Sequence, residues 1–263
     1  MQPFSLTKWY VDCVDSSGRV AIAYWSAIAW GGLAITWHSL SLCEPGAEPV
    51  HASSIASVDA PTVTDQRILW QSSPLSVRLD CRRSQPPVGL RLLETAEGHL
   101  DWCCEAAAGQ VALVVGDRQT WHGPGYAEHI EMTIPPWRLP IDQLQWGRWI
   151  ASGGHHSVVW IDWRGPQPLT KVFRDGGDQA DARVAGDRID AGDTVLTLTE
   201  PHTIYSRSLA NTLGGLQTVL APLLPASWLA LEDRKWLSRG LRRTAGRDDE
   251  AGWAIHETLG WPS

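Results

Sequence analysis

From Tyr126 to Ile134 the chain alternates with a period of two. Tyr126, Glu128, Ile130, Met132 and Ile134 fall on one face of a strand, and Ala127, His129, Glu131 and Thr133 on the other. Pro135 and Pro136 end it, because proline donates no ladder hydrogen bond. The same alternation marks Lys8–Val14 as a first strand, followed by a hairpin turn at Asp15-Ser-Ser-Gly18. Arg19–Trp30 reads as a long second strand. It carries Val20, Ile22, Tyr24, Ser26, Ile28 and Trp30 on one face. The other is mostly alanine, broken by Trp25. Gly31-Gly32 interrupts the pattern, and Leu33–Leu40 resumes it.

Residues 44–65 are rich in Pro, Ala, Ser and acidic side chains and read as a loop. Short strands are expected near Arg67–Gln71, Leu75–Cys81, Gly89–Glu94, His99–Cys104 and Val111–Val115. Beyond the central strand come Ile141–Ile150, Val158–Trp163, Leu169–Asp175, Arg183–Ile189, Val195–Thr199 and Trp253–Thr258. Residues 206–215 read as a short helix or loop, 216–231 as irregular, and Arg234–Arg243 as partly helical. Regularly spaced short strands indicate antiparallel sandwiches or barrels. No βαβ alternation and no phosphate-binding glycine motif follows a strand, which argues against a nucleotide-binding α/β fold. The expectation is an all-β chain of two packed halves, residues 1–118 and 119–263, joined near Gln119–Gly125.

The 263 residues carry a formal charge of −7, with a pI of about 5.7, which argues against a nucleic-acid partner. No run of about 18 apolar residues is long enough to span a bilayer. Peripheral membrane contact stays open. The N-terminus lacks a secretory pattern, so a cytoplasmic location is expected. Five cysteines are widely spaced without a C-x-x-C pair, and the histidines are scattered, so neither disulfides nor a metal is expected. Sixteen tryptophans against two phenylalanines and four tyrosines stand out. Indole offers buried area and a face that attracts cations, which suits an aromatic-walled cleft as well as ordinary core.

Three stretches, in order, resemble the carotenoid 1,2-hydratase (hydroxyneurosporene synthase) superfamily. They are Trp9-Tyr-Val-Asp12 with Gly18-Arg19; Gly125-Tyr-Ala-Glu128 with Leu144-Gln-Trp-Gly-Arg148 and Trp160-Ile-Asp162; and Leu196-Thr-Leu-Thr-Glu-Pro-His-Thr-Ile-Tyr-Ser-Arg-Ser208, with His256-Glu257 after it. The resemblance covers most of the chain. It implies two lipocalin-like β-barrel subdomains, no metal or organic cofactor, and acid-initiated chemistry on apolar polyenes or terpenoids. Related lipocalin-like proteins include pericyclases. Glu128 stands where the hydratases carry Asp, so the acid would reach about one methylene farther.

A carboxylic acid buried on an apolar face keeps its proton to higher pH and can act as a general acid. Glu128 is the candidate acid, Tyr126 its orienting neighbour, and Asp162 a second acid or the base that recovers the proton. Trp25, Trp37, Trp146, Trp160 and Tyr24 would line the cavity for an apolar small-molecule substrate and stabilise a cation. His129 is a further candidate contact. The alternatives are concrete. Glu128 could pair with an arginine while His129 and Glu131 face the cavity, and Asp162 could be a salt-bridge partner of Arg148. Three functions are compatible: an acid-dependent hydratase, isomerase or cyclase; a pericyclase that transfers no proton; and a carrier of an apolar ligand.

Overall fold

The computed structural model describes residues 4–117, 119–208, 225 and 229–260. Most of them lie in strands: β1 (Ser5–Val14), β2 (Val20–Trp30), β3 (Leu33–Cys43), β4 (Val50–Ser54), β5 (Thr62–Val63), β6 (Arg67–Ser72), β7 (Val77–Arg83), β8 (Val88–Thr95), β9 (Gly98–Val115) and β10 (Gln119–Met132). A 3-10 turn at Pro136–Arg138 precedes β11 (Gln143–Ala151), β12 (Ser157–Arg164), β13 (Leu169–Arg174), β14 (Gly177–Asp178), β15 (Arg183–Ala185), β16 (Arg188–Ala191), β17 (Thr194–Ser208), β18 (Glu232–Thr244) and β19 (Glu250–Gly260). Among the described residues no helix is long and apolar enough to cross a membrane.

The first ten strands form one sheet in the order β4-β3-β2-β1-β10-β9-β7-β6-β5, with β8 also on β9. The other nine form a second, β14-β13-β12-β11-β19-β18-β17-β16-β15. Side chains from strands far apart in the first sheet share one core, among them Trp9, Trp25, Leu40, Ile68, Leu79 and Trp121. That sheet therefore curls around its own interior, as lipocalin-like barrels do. The second has its own core on Trp149, Trp160, Val172, Ile189, Leu196 and Ala254.

Two compact units result, residues 1–135 with 152–157, and residues 136–151 with 158–263. This division falls at residues 135–136, where the expectation set it after residue 118. β10 pairs with β1 on one side and β9 on the other, which ties Gln119–Met132 into the first unit.

Other expectations shift for physical reasons. The loop read over residues 44–65 contains the short edge strands β4 and β5. The two strands expected at 99–104 and 111–115 are one, since the intervening alanines Ala106, Ala107 and Ala108 are fully buried in its middle. There β9 bulges twice. Gly125 faces Gly109 and Glu128 faces Cys104, so β9 spends two more residues than β10 over this span. Arg234–Arg243 is strand β18, not helix. Its basic residues misled because Lys235 and Arg242 are buried, ion-paired with Glu257 and with Glu250 and Asp175. The readings for 209–215 and most of 216–231 lie outside the described residues.

Candidate active site

Glu128 sits mid-strand in β10 at 6% exposure. It lies directly opposite Tyr10 on β1 and Cys104 on β9. Two donors converge on one of its oxygens. The Tyr126 hydroxyl donates to Oε2 at 2.7 Å, and the Trp102 indole Nε1 donates to the same atom at 2.5 Å. Tyr126 reaches it because residues i and i+2 share a face. Trp102 reaches it diagonally from β9, one pair along, where it opposes Ile130. The neighbouring Gly125 has no room for a side chain, because a Cβ there would overlap the Asp12 carbonyl oxygen.

The aromatic surround extends across β1 and β2. Tyr10 packs edge-on against Tyr24 at 5.1 Å and lies 6.1 Å from the Tyr126 ring. The Tyr10 hydroxyl donates to Asp12 Oδ2 at 2.7 Å. Trp37 lies 6.4 Å from Tyr24, whose ring also carries Lys8 Nζ at 5.0 Å. Burial, with Cys104 and Glu128 nearby, raises the Tyr126 phenol well above its ordinary range, so it stays a donor. Burial, reinforced by Glu128, does the same to the Cys104 thiol.

The structure therefore gathers Glu128, Tyr126, Tyr24 and Trp37 on one face. It adds Trp102, Tyr10 and Asp12, which were not among the expected site residues. The alternation of Trp9-Tyr-Val-Asp12 carried the signal for Tyr10 and Asp12, which share a face; nothing local marked Trp102.

Two expected residues lie on the opposite face of the same sheet. Trp25 is part of the barrel core, and its indole donates to the Val58 carbonyl at 3.1 Å. His129 stacks obliquely on Trp9 at 4.7 Å. Its Nδ1 lies 3.3 Å from Glu105 Oε1, whose other oxygen is 3.3 Å from Arg83. The Cys103 thiol donates to Glu105 Oε1 at 3.4 Å. The adjacent His129, then Cys103 and Arg83, hold the Glu105 carboxyl below its usual range against the effect of burial. Burial and Glu105 push the Cys103 thiol up to about 12.

The remaining expected residues belong to the second unit. Asp162 is buried beside Trp160 on the core-facing side of β12, and its Oδ1 accepts from Thr170 Oγ1 at 2.5 Å. Its charge partner is Arg164, at 3.7 Å. Arg148, considered as that partner, donates to the Trp253 carbonyl at 2.9 Å. Trp146 lies on the other face of its sheet, its ring 4.9 Å from Lys235 Nζ, which pairs with Glu257. The Lys235–Glu257 pair, like Trp102, escaped the sequence reading because only strand register brings its members together.

No protein-family model and no curated protein matches the sequence. Solved structures do. CghA superposes with a TM-score of 0.59 at 10% identity, covering 99% of this chain and 89% of that one. An AttH-type protein of Nitrosomonas europaea gives 0.54 at 11%, covering 99% and 93%. Kievitone hydratase of Nectria haematococca gives 0.54 at 8%, covering 98% and 89%. At such identities the likeness speaks for the fold, and the fold is the one that the resemblance to the carotenoid 1,2-hydratase superfamily implies: two antiparallel, lipocalin-like β units in one chain.

Proposed function

We propose that the protein is an enzyme that adds a proton to an apolar, alkene-bearing small molecule, of polyene or terpenoid type, with Glu128 as the acid. The observation that carries this reading is the convergence of Tyr126 and Trp102 on Oε2 of a buried carboxyl. With Oε2 engaged as an acceptor, the proton of the neutral acid belongs on Oε1. Burial favours that neutral form, while the two donors favour the anion left after transfer, so both states are supported across the step. The faces of Tyr10, Tyr24, Tyr126 and Trp37 give a developing carbocation a π surround instead of a nucleophile. In a hydration, water then adds to the cation and the proton it sheds restores the acid. In an isomerisation or cyclisation the cation instead loses a proton to the Glu128 carboxylate, which restores the acid. No organic cofactor is needed for either course. That one fold neighbour is a hydratase, and that another, CghA, has been solved with the small molecule Sch210972, is in keeping with small-molecule chemistry.

A second reading draws on the same two hydrogen bonds. They suit a permanently ionised Glu128 that anchors a ligand, as in a pericyclase or a carrier. Glu128→Gln separates the readings. Assayed against a panel of polyenes and terpenoids in D2O, acid catalysis predicts deuterium in the product and a loss of about 10²–10⁴ in rate. Binding, followed by tryptophan fluorescence, should be nearly unchanged. Full activity in the variant removes the acid role.

A further inference from the structure

The opposite face of β10 holds a group of donors that the proton chemistry does not use. We propose that Cys103, Glu105 and His129 form a binding site for a borderline divalent cation of the zinc type. Their spacing along the chain gives no hint of it; register creates it. Cys103 stands directly opposite His129 across the β9–β10 ladder, and Glu105 follows two residues along β9, at the bulge.

The donor atoms converge. Cys103 Sγ, a Glu105 carboxylate oxygen and His129 Nδ1 lie within 4.8 Å of one another. Oε1 is 3.3 Å from Nδ1 and 3.4 Å from Sγ. A tetrahedral zinc with Zn–S of about 2.3 Å and Zn–N or Zn–O of about 2.0–2.1 Å has edges of about 3.3–3.6 Å. Those two edges match that polyhedron. Despite its proximity to Glu105, Nδ1 has no aligned hydrogen-bond partner among the described residues. In the Nε2–H tautomer its lone pair is available to a ligand placed between the three atoms.

Charge and access agree. A thiolate and a carboxylate together neutralise a dication, the thiol proton leaving to solvent as the metal binds. Arg83, 3.3 Å from Oε2, keeps that oxygen occupied and makes Glu105 a one-oxygen ligand. Three protein ligands leave a fourth position. A cavity of about 550 Å³ bordered by Cys103, His129, Glu131, Asp101 and Arg91 gives water or a small anion access to it. The site lies across the strand from Glu128 and is independent of the acid step.

The test is a titration of the reduced full-length chain with cobalt(II) chloride, read by absorbance, followed by zinc sulfate. One cobalt per chain should bind with a thiolate-to-metal band in the near ultraviolet, and one equivalent of zinc should bleach it. Cys103→Ser should abolish the band with the near-ultraviolet circular dichroism otherwise unchanged. Glu105→Gln should weaken cobalt by more than the roughly 10–100-fold loss typical of an outer hydrogen-bond partner. Absence of a saturable band in the wild-type chain overturns the site. So does an undiminished band in Cys103→Ser, which would trace the thiolate to one of the four other cysteines, all buried. If Cys103→Ser fails to fold, His129→Gln decides: loss of the band upholds the site and retention overturns it.

Discussion

Removing the Tyr126 hydroxyl isolates what the protein does to its candidate acid. Tyr126→Phe deletes the 2.7 Å bond to Glu128 Oε2, together with the hydroxyl's contact to the Cys104 thiol, and leaves the Trp102 bond in place. The ring stays, so packing at this fully buried position changes little. A hydrogen bond to a charged group contributes about 1.5–3 kcal/mol. Each pKa unit corresponds to about 1.4 kcal/mol. Loss of a donor that favours the anion should therefore raise the Glu128 pKa by about 1–2 units. Activity that needs the protonated acid is lost as pH rises through this pKa, so the alkaline limb of the pH–rate profile should move up by the same amount. Infrared titration of the carboxyl stretch, with Glu128→Gln subtracted to assign the band, measures the shift without a substrate. An unmoved or lowered titration would refute the account of Tyr126 as the donor that stabilises the anion.

The second unit offers further tests. Burial, then Lys235, lowers the His256 pKa from 6.5 to about 4. The unfolded chain then binds the extra proton between those values, so stability is full above pH 6.5 and falls as pH drops toward 4. The loss is on the order of 3 kcal/mol, and urea midpoints at pH 7 and 4.5 should show it reduced in His256→Gln. Lys235→Ala leaves Glu257 without its buried partner and should cost about 3–5 kcal/mol, much of it recovered in Lys235→Met/Glu257→Leu, by urea unfolding. Gly147→Ala drives a Cβ into the Trp160 ring and should cost about 1–3 kcal/mol or more in the same assay.

Much of the fold was legible because a half-buried strand writes its two faces into alternate residues. Tyr126, Glu128 and Ile130 against Ala127 and His129 is that signal, and the structure keeps the two sets apart. The alternation does not say which face turns to a barrel's interior. Trp25, expected to line a ligand cavity, is part of the barrel core. Register is also silent in sequence. Trp102 meets Glu128, and Cys103 meets His129, only because β9 pairs with β10 at one offset out of many. The helical reading of Arg234–Arg243 failed because buried Lys235 and Arg242 look like surface charges until their acidic partners on β19 are in view. Asp162 shows the reverse limit. Its apolar neighbours Val158 and Trp160 were read correctly, but its local hydroxyl and arginine partners were not.

The double bulge in β9 gives the site a parity rule. Side chains on a strand alternate, so a single extra residue exchanges the two faces from that point onward. β9 spends five steps, Gly109 to Cys104, where β10 spends three, Gly125 to Glu128. The surplus is two, an even number, so the faces exchange and then exchange back. Val111 and Leu113 point into the barrel core on one side of the irregularity, while on the other Trp102 keeps to the Glu128 side. Descendants of this chain can therefore lose or gain residues around Glu105–Ala108 in pairs without scrambling who faces whom. A single deletion there would carry Trp102 to the side of His129 and bring Cys103 round to the acid, trading the neighbourhoods of the two faces in one mutational step.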